Sequence, residues 1–180
     1  MVENKHEIVV FGGGCFWCTE AVFLELKGVV SVVSGYAGGH TENPTYRQIC
    51  SDNTGHAEVV EIRFDPNQVT YNRLLEVFFA THDPTTLNRQ GADRGTHYRS
   101  IILYTNEDQK EQADGFIREL DRSGSMGDPI VTEVVPLEIF YEADADHQQF
   151  YLNNPGMMYC QIVIQPKVDK VRGAFAEHLR

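Results

Sequence analysis

The sequence predicts an α/β (α+β) fold, a two-layer sandwich in a single domain over residues 1–180, with a mixed β-sheet carrying helices and long ordered loops. Three observations predict it. β-Branched apolar runs alternate with segments of helical period. No internal repeat, low-complexity tract or linker marks a boundary between them. The 180 residues, 42% hydrophobic and 23% charged, suffice for one core, whereas either half alone would have a marginal one.

Taken in order, the strands are read at 7–11, 29–33, 57–64, 100–105, 132–140 and 161–164, each rich in Val, Ile, Phe or Tyr. The first helix, 15–26, follows a run of three glycines. The second, 70–82, carries Leu74, Leu75, Phe78 and Phe79. The third, 106–123, sets Ala113, Phe116, Ile117 and Leu120 on one stripe at i, i+3, i+4, i+7, and Asn106 with Gln109 three residues on forms a capping box. A short helix is read at 146–152. The first three helices cover the sheet of a ferredoxin-like core. Two irregular stretches, 35–55 and 83–99, hold much of the Gly, Pro, Asn, Thr and Tyr; their aromatics Tyr36, Tyr46 and Tyr98 indicate ordered loops that line a site.

Fifteen Lys and Arg against 26 Asp and Glu give a net charge of −11, which repels phosphate backbones and anionic lipid. Nucleic acid and membrane are therefore not expected as partners. No apolar run approaches the roughly 20 residues that span a bilayer, and the first seven residues mix both charge signs, so a cytoplasmic protein is expected. Its small acidic body is read as a monomer.

Four cysteines, Cys15, Cys18, Cys50 and Cys160, are too sparse for a secreted disulfide scaffold. Cys15 and Cys18 form one C-x-x-C, half a zinc ribbon at most, with no His-x-x-x-His to complete it, so no metal is expected. The segment Phe11-Gly12-Gly13-Gly14-Cys15-Phe16-Trp17-Cys18 joins a strand to a helix through glycines that allow a sharp turn, and it matches neither phosphate-binding glycine motif. A cysteine at a helix start faces unpaired backbone N–H groups and the positive end of the dipole, which predicts a lowered thiol pKa and a nucleophile at Cys15. Cys18 falls one turn later on the same side, within disulfide reach. Two buried apolar thiols are the blander reading, but packing alone gives no reason for the triple glycine and the Phe16-Trp17 pair.

Gly14-Cys15-Phe16-Trp17 resembles the signature of the class A peptide methionine sulfoxide reductases. Gly35-Tyr36-Ala37-Gly38-Gly39, Asn43-Pro44-Thr45-Tyr46, Thr54-Gly55-His56-Ala57-Glu58, Thr81-His82-Asp83-Pro84-Thr85, Asn88-Arg89-Gln90-Gly91, Gly95-Thr96-His97-Tyr98-Arg99-Ser100 and Pro166-Lys167-Val168 resemble further blocks of that family in order, over nearly the whole chain. The resemblance implies that Cys15 attacks the sulfoxide sulfur and that Phe16 and Trp17 seat the S-methyl group. It implies that Glu58 supplies a proton to the sulfoxide oxygen, that Tyr46 and Tyr98 donate hydrogen bonds there, and that Asp93 helps to hold the substrate. Such an acid is needed, because a sulfoxide is a poor electrophile until its oxygen is protonated or hydrogen-bonded.

Alternation in 57–64 puts Glu58 with Val60, Ile62 and Phe64 on an apolar face, where desolvation raises a carboxyl pKa. Singly, Tyr46 and Tyr98 read as loop aromatics and Asp93 as a turn former; only the joint pattern promotes them. His56 lies on the opposite alternation and is read as stabilising its turn. His97 stands where the family commonly has Gln.

Reduction of the substrate leaves a sulfenic acid on Cys15, which condenses with a nearby thiol. Many family members carry recycling cysteines in a glycine-rich C-terminal tail; here no cysteine follows Cys160, whose expected strand face, shared with Ile162 and Ile164, makes it structural. Cys50 is read in a loop with nothing to mark it. Cys18, where relatives often have Gly, is the expected resolving thiol, the Cys15–Cys18 disulfide being reduced by thioredoxin or a similar dithiol. A thiol–disulfide oxidoreductase acting directly on protein dithiols is the alternative, though it leaves Phe16, Trp17 and Glu58 without a role. A zinc-binding or ligand-binding regulatory module would need further ligands or a pocket without a reactive thiol.

Overall fold

The computed structural model describes residues 5–180. Most of the charge-mixed N-terminal stretch, on which the expectation of a cytoplasmic protein partly rests, lies outside the described residues. The strands are β1 (Glu7–Gly12), β2 (Val29–Ala37), β3 (Ala57–Phe64), the two-residue β4 (Arg89–Gln90) and β5 (Asp93–Arg94), β6 (Ile101–Tyr104), β7 (Glu133–Pro136) and β8 (Phe140–Glu142). The helices are α1 (Phe16–Phe23), α2 (Tyr46–Cys50), α3 (Tyr71–Ala80), α4 (Glu107–Ser123), α5 (Phe150–Asn153) and α6 (Gln165–Ala174).

Six strands form one sheet in the order β7-β6-β1-β3-β2-β8, all neighbours antiparallel except β6 and β7. Its four central strands, with α1 and α3 as the connections, make the expected ferredoxin-like β-α-β-β-α-β unit. One face carries the main core, where Val9, Phe11, Val60, Ile62, Phe64 and Ile102 meet Val22, Phe23, Leu74, Phe78 and Ala113 of the helices. The other face is not open to water at the β3 start: Ala57 and Val59 join Val10, Ala37, Ile101 and Leu103 in a smaller core covered by Val135, Leu137 and Phe140. No helix among the described residues is long and apolar enough to cross a membrane.

Several sequence expectations are corrected. The strand expected at 132–140 is two strands on opposite edges: β7 ends at Pro136 beside Tyr104, and the chain then crosses to pair Phe140–Glu142 with β2. The strand expected at 161–164 is a wide helical turn, Cys160–Ile164, running into α6. Its β-branched residues yield to tertiary packing, because Cys160, Ile164, Val168 and Val171 recur at helical spacing and all are buried, while Ile162 is exposed. Cys160 is thus a buried helical thiol. The helix expected at 146–152 is a 3₁₀ turn, Ala145–His147, followed by α5. Tyr36 lies in β2, which runs four residues past its expected end, and Cys50 closes α2 instead of standing in a loop.

The N-caps follow side-chain chemistry. The Asn106 side chain accepts from Gln109 N–H at 2.9 Å, but Gln109 Oε1 accepts from Thr105 N–H, so the expected box is closed one residue early. A complete box, unread in the sequence, starts α2 at Thr45 and Gln48.

Candidate active site

The site is built where β1, through its glycines, turns into α1 against the start of β3. A Cβ on Gly12 would lie 2.9 Å from the Glu58 carbonyl oxygen, and Gly14, at φ +97°, lies under the Gln90 side chain. Glycine therefore lets β3 and the 89–94 hairpin close around Cys15. Cys15 is the N-cap of α1, and its carbonyl accepts from Cys18 N–H at 3.1 Å. Both thiols are buried, as is Phe16, with Trp17 half-buried.

Burial overturns one expectation about Cys15. Its thiol pKa is raised well above the usual range, by desolvation first and then by Glu58 and Cys18, with Trp17 N–H and the Tyr159 hydroxyl pulling the other way. The helix start acts in the direction expected, yet a side chain only 8% exposed loses more hydration than one turn of dipoles restores. The Cys18 thiol is raised as well, again through burial, with Lys167 opposing.

Glu58 lies where strand alternation put it. It is 1% exposed, its Oε1 accepts Phe16 N–H at 3.3 Å, and its Oε2 is buried without a partner. Desolvation pushes its pKa up to about 8; Phe16 N–H opposes this and Asp93 adds to it. The group is therefore mostly protonated at neutral pH, as a proton donor must be.

Tyr46 opens α2, and Tyr98 ends a 3₁₀ turn, Thr96–Tyr98. Both hydroxyls have pKa values raised by burial and then by Glu58, with Cys15 also contributing, which puts both around the same pair of groups. Phe16 stacks on Tyr46 with ring centres 6.5 Å apart. Asp93 faces the site from the hairpin and accepts the Tyr159 hydroxyl at 2.9 Å. All eight residues singled out in the sequence, Cys15, Phe16, Trp17, Cys18, Tyr46, Glu58, Asp93 and Tyr98, thus converge.

The sequence missed three neighbours, Tyr159, His147 and Phe150, and read a fourth, Tyr36, only as a loop aromatic lining a site. Tyr36 pairs across the sheet with Glu58, and its buried hydroxyl has no partner. Tyr159 links Cys18, whose sulfur lies 3.7 Å from its hydroxyl, to Asp93. His147 accepts the Trp17 indole N–H, and Phe150 stacks on the indole. Only the pairing of β2 with β3 sets Tyr36 opposite Glu58, and the other three come from a segment more than 120 residues from α1 whose helices differ from the sequence expectation.

His56 braces its turn as expected, accepting Gly39 N–H at 2.9 Å through Nδ1 and lying 2.7 Å from the Thr41 carbonyl through Nε2. His97 packs on Tyr98, with ring centres 4.0 Å apart, and meets Asp52 at 3.2 Å. Residues 38–42 line a separate cleft of about 460 Å³ with Glu133, Ile139 and Tyr141, which contains none of the eight residues. No cluster of three or more His, Cys, Asp or Glu suited to a metal occurs among the described residues.

The family model for peptide methionine sulfoxide reductase matches residues 7–179. The chain is 58% identical over 166 residues to the peptide methionine sulfoxide reductase MsrA of Natronomonas pharaonis, covering 92% of this chain and 93% of that one. It is 53% identical over 174 residues to the MsrA of Saccharolobus solfataricus, covering 97% of each. Among solved structures it resembles reduced Mxr1 of Saccharomyces cerevisiae at a TM-score of 0.80 and 30% identity, over 88% of this chain and 91% of that one. Mxr1 in complex with Trx2 is similar at a TM-score of 0.55 and 26% identity, over 83% and 87% of the two chains.

Proposed function

The chain belongs to the peptide methionine sulfoxide reductase family as an MsrA, an oxidoreductase that returns methionine sulfoxide to methionine, and from that premise we propose how its residues perform the reduction. Phe16 and Trp17 seat the S-methyl group, Tyr46 and Tyr98 donate hydrogen bonds to the sulfoxide oxygen, and Asp93 helps to hold the substrate. Cys15 attacks the sulfur as thiolate while Glu58 protonates the oxygen. Attack joins the Cys15 sulfur to the substrate sulfur while the substrate S–O bond breaks, its oxygen leaving as water with the protons of Glu58 and the thiol; water then adds to the Cys15 sulfur and the S–S bond breaks, so methionine leaves, Cys15 becomes a sulfenic acid, and the proton released by that water restores Glu58.

Cys18, the second cysteine of Gly14-Cys15-Phe16-Trp17-Cys18, then attacks the sulfenic sulfur; a disulfide forms and water departs. Thiol–disulfide exchange with a dithiol protein such as thioredoxin returns both thiols, a role that fits the Mxr1 relative solved with Trx2. The electrons come from thiols, and the cycle calls on no metal or organic cofactor. The preferred epimer is S. The catalytic unit is the single domain over 1–180, acting as a cytoplasmic monomer.

One observation carries this reading: a buried carboxyl with an unpartnered oxygen faces a buried cysteine at a helix start, walled by Phe16 and Trp17. The test is turnover of the two epimers of a methionine sulfoxide peptide, first with dithiothreitol and then with thioredoxin. The S epimer should be consumed with both reductants, and equal use of the two epimers would contradict the reading. Disulfide mapping by mass spectrometry after one equivalent of substrate should find Cys15–Cys18. A Cys15–Cys50 or Cys15–Cys160 linkage would remove Cys18 from the cycle.

A further inference from the structure

Trp17 is the chain's only tryptophan, and its indole has a single N–H to donate. That N–H goes to His147 Nδ1 at 3.2 Å, which places the ring proton on Nε2. The same imidazole touches the site on two further sides. Its ring centre lies 4.3 Å from that of Tyr46 and 5.5 Å from that of Phe16. The indole plane is covered by Phe150, with ring centres 3.6 Å apart and 6° between the planes.

The short segment that brings His147 and Phe150 here is pinned from below. The Gln148 amide pairs with the Ser34 backbone as a strand would, accepting its N–H at 2.9 Å and donating to its carbonyl at 2.8 Å. The buried Glu20 of α1 accepts the Ser34 hydroxyl at 3.1 Å, and the backbone N–H groups of Gln149 and Phe150 favour its charged form. His147 is therefore held on β2 and α1 and is buried, with 8% of its surface exposed.

We propose that His147 is a positioning residue for the reduction: by accepting the Trp17 indole N–H while lying against Tyr46, it holds the methyl-seating wall and the oxygen-binding hydroxyl in one fixed arrangement. The inference rests on the role given to Trp17 above. Without the acceptor the indole is held only by ring packing, which leaves it able to slide in its own plane, and a seat the size of a methyl group is sensitive to small displacements of its wall.

His147→Phe keeps an aromatic ring but removes the acceptor; His147→Leu serves the same purpose if the phenyl group prevents folding. Either variant should raise KM for a methionine sulfoxide peptide about tenfold, the upper end of what one neutral hydrogen bond contributes, with kcat within about threefold. The emission of the sole tryptophan should shift in the substrate-free protein. His147→Asn, whose Oδ1 can stand in for Nδ1, should restore both KM and emission to within about threefold and to the original position respectively. Unchanged KM and emission in the acceptor-free variants, or equal loss in His147→Asn, would overturn the proposal. Trp17→Phe separates the two ideas. If it raises KM while His147→Phe does not, the inference alone fails; if it leaves KM unmoved, the methyl-seat reading fails and takes the inference with it.

Discussion

Glu20 in α1 and Glu58 in β3 are both buried carboxyls, each 1% exposed and each with its pKa raised by desolvation, yet they are built for different ends. Glu20 is surrounded by donors, with the Ser34 hydroxyl at 3.1 Å and the backbone of Gln149 and Phe150 favouring its charge. Glu58 has one donor, Phe16 N–H at 3.3 Å, and an oxygen left bare. Burial alone does not separate a structural carboxyl from a reactive one. The unsatisfied atom does, because a buried oxygen without a partner costs about 1–3 kcal/mol and persists where a ligand completes it.

The most severe test replaces each carboxyl by its amide. Glu58→Gln should lower the single-turnover rate of sulfoxide reduction by about 10²–10⁴, the usual contribution of a positioned acid, whereas Glu20→Gln should stay within a few-fold. Comparable losses would erase the distinction. The pH profile sharpens it. In the wild type the thiolate of Cys15 gains with pH while the acid form of Glu58 is lost above about pH 8, so the rate should climb to about pH 8 and then level. In Glu58→Gln it should keep climbing through pH 9.

Stability distinguishes the pair next. A carboxyl whose folded pKa is about 8 against an ordinary 4.5 binds more protons folded than unfolded between those values, so stability falls as pH rises from 4.5 to 8. At pH 7 the difference amounts to about 3 kcal/mol, and Glu58→Gln should recover much of it. Urea denaturation at pH 5 and pH 8 measures this: the wild type should lose stability between the two and the variant should lose less. Glu20→Ala should act in the opposite sense, costing about 1–3 kcal/mol in the same assay because the donors around it lose their acceptor. The smallest expected effect is Tyr98→Phe, about a tenfold drop in single-turnover rate at unchanged stability, since one of the two tyrosines proposed to donate to the sulfoxide oxygen remains.

The parts of this site readable from residues alone were those set by local period. Strand alternation put Glu58 on the core face beside Val60 and Ile62, and the glycine run put Cys15 at a helix start. The direction of the Cys15 pKa was misread, because dipoles can be inferred from the start of a helix while desolvation depends on what covers it. The groups around it include Tyr159, whose hydroxyl lowers the pKa without offsetting the desolvation, and which precedes the segment where the expected strand proved to be a helix. The helical signal was present in the spacing of Cys160, Ile164, Val168 and Val171, but the β-branched run at 161–164 masked it.

By itself the sequence determined the α/β class, the order of the central strands and helices, and the eight residues that meet around Cys15. The class and order follow from periodicities of two and 3.6, as do the positions of Cys15 and Glu58, while Phe16, Trp17, Tyr46, Tyr98 and Asp93 follow from the resemblance of the ordered blocks to the family. Only the tertiary structure decided which of two equally buried glutamates keeps a bare oxygen, which way the Cys15 thiol titrates, and that His147 and Phe150 hold Trp17. Those properties depend on burial and on hydrogen-bond partners brought together from different elements, 42 residues apart for Glu58 and Phe16 and 130 for Trp17 and His147, and neither is encoded in local pattern.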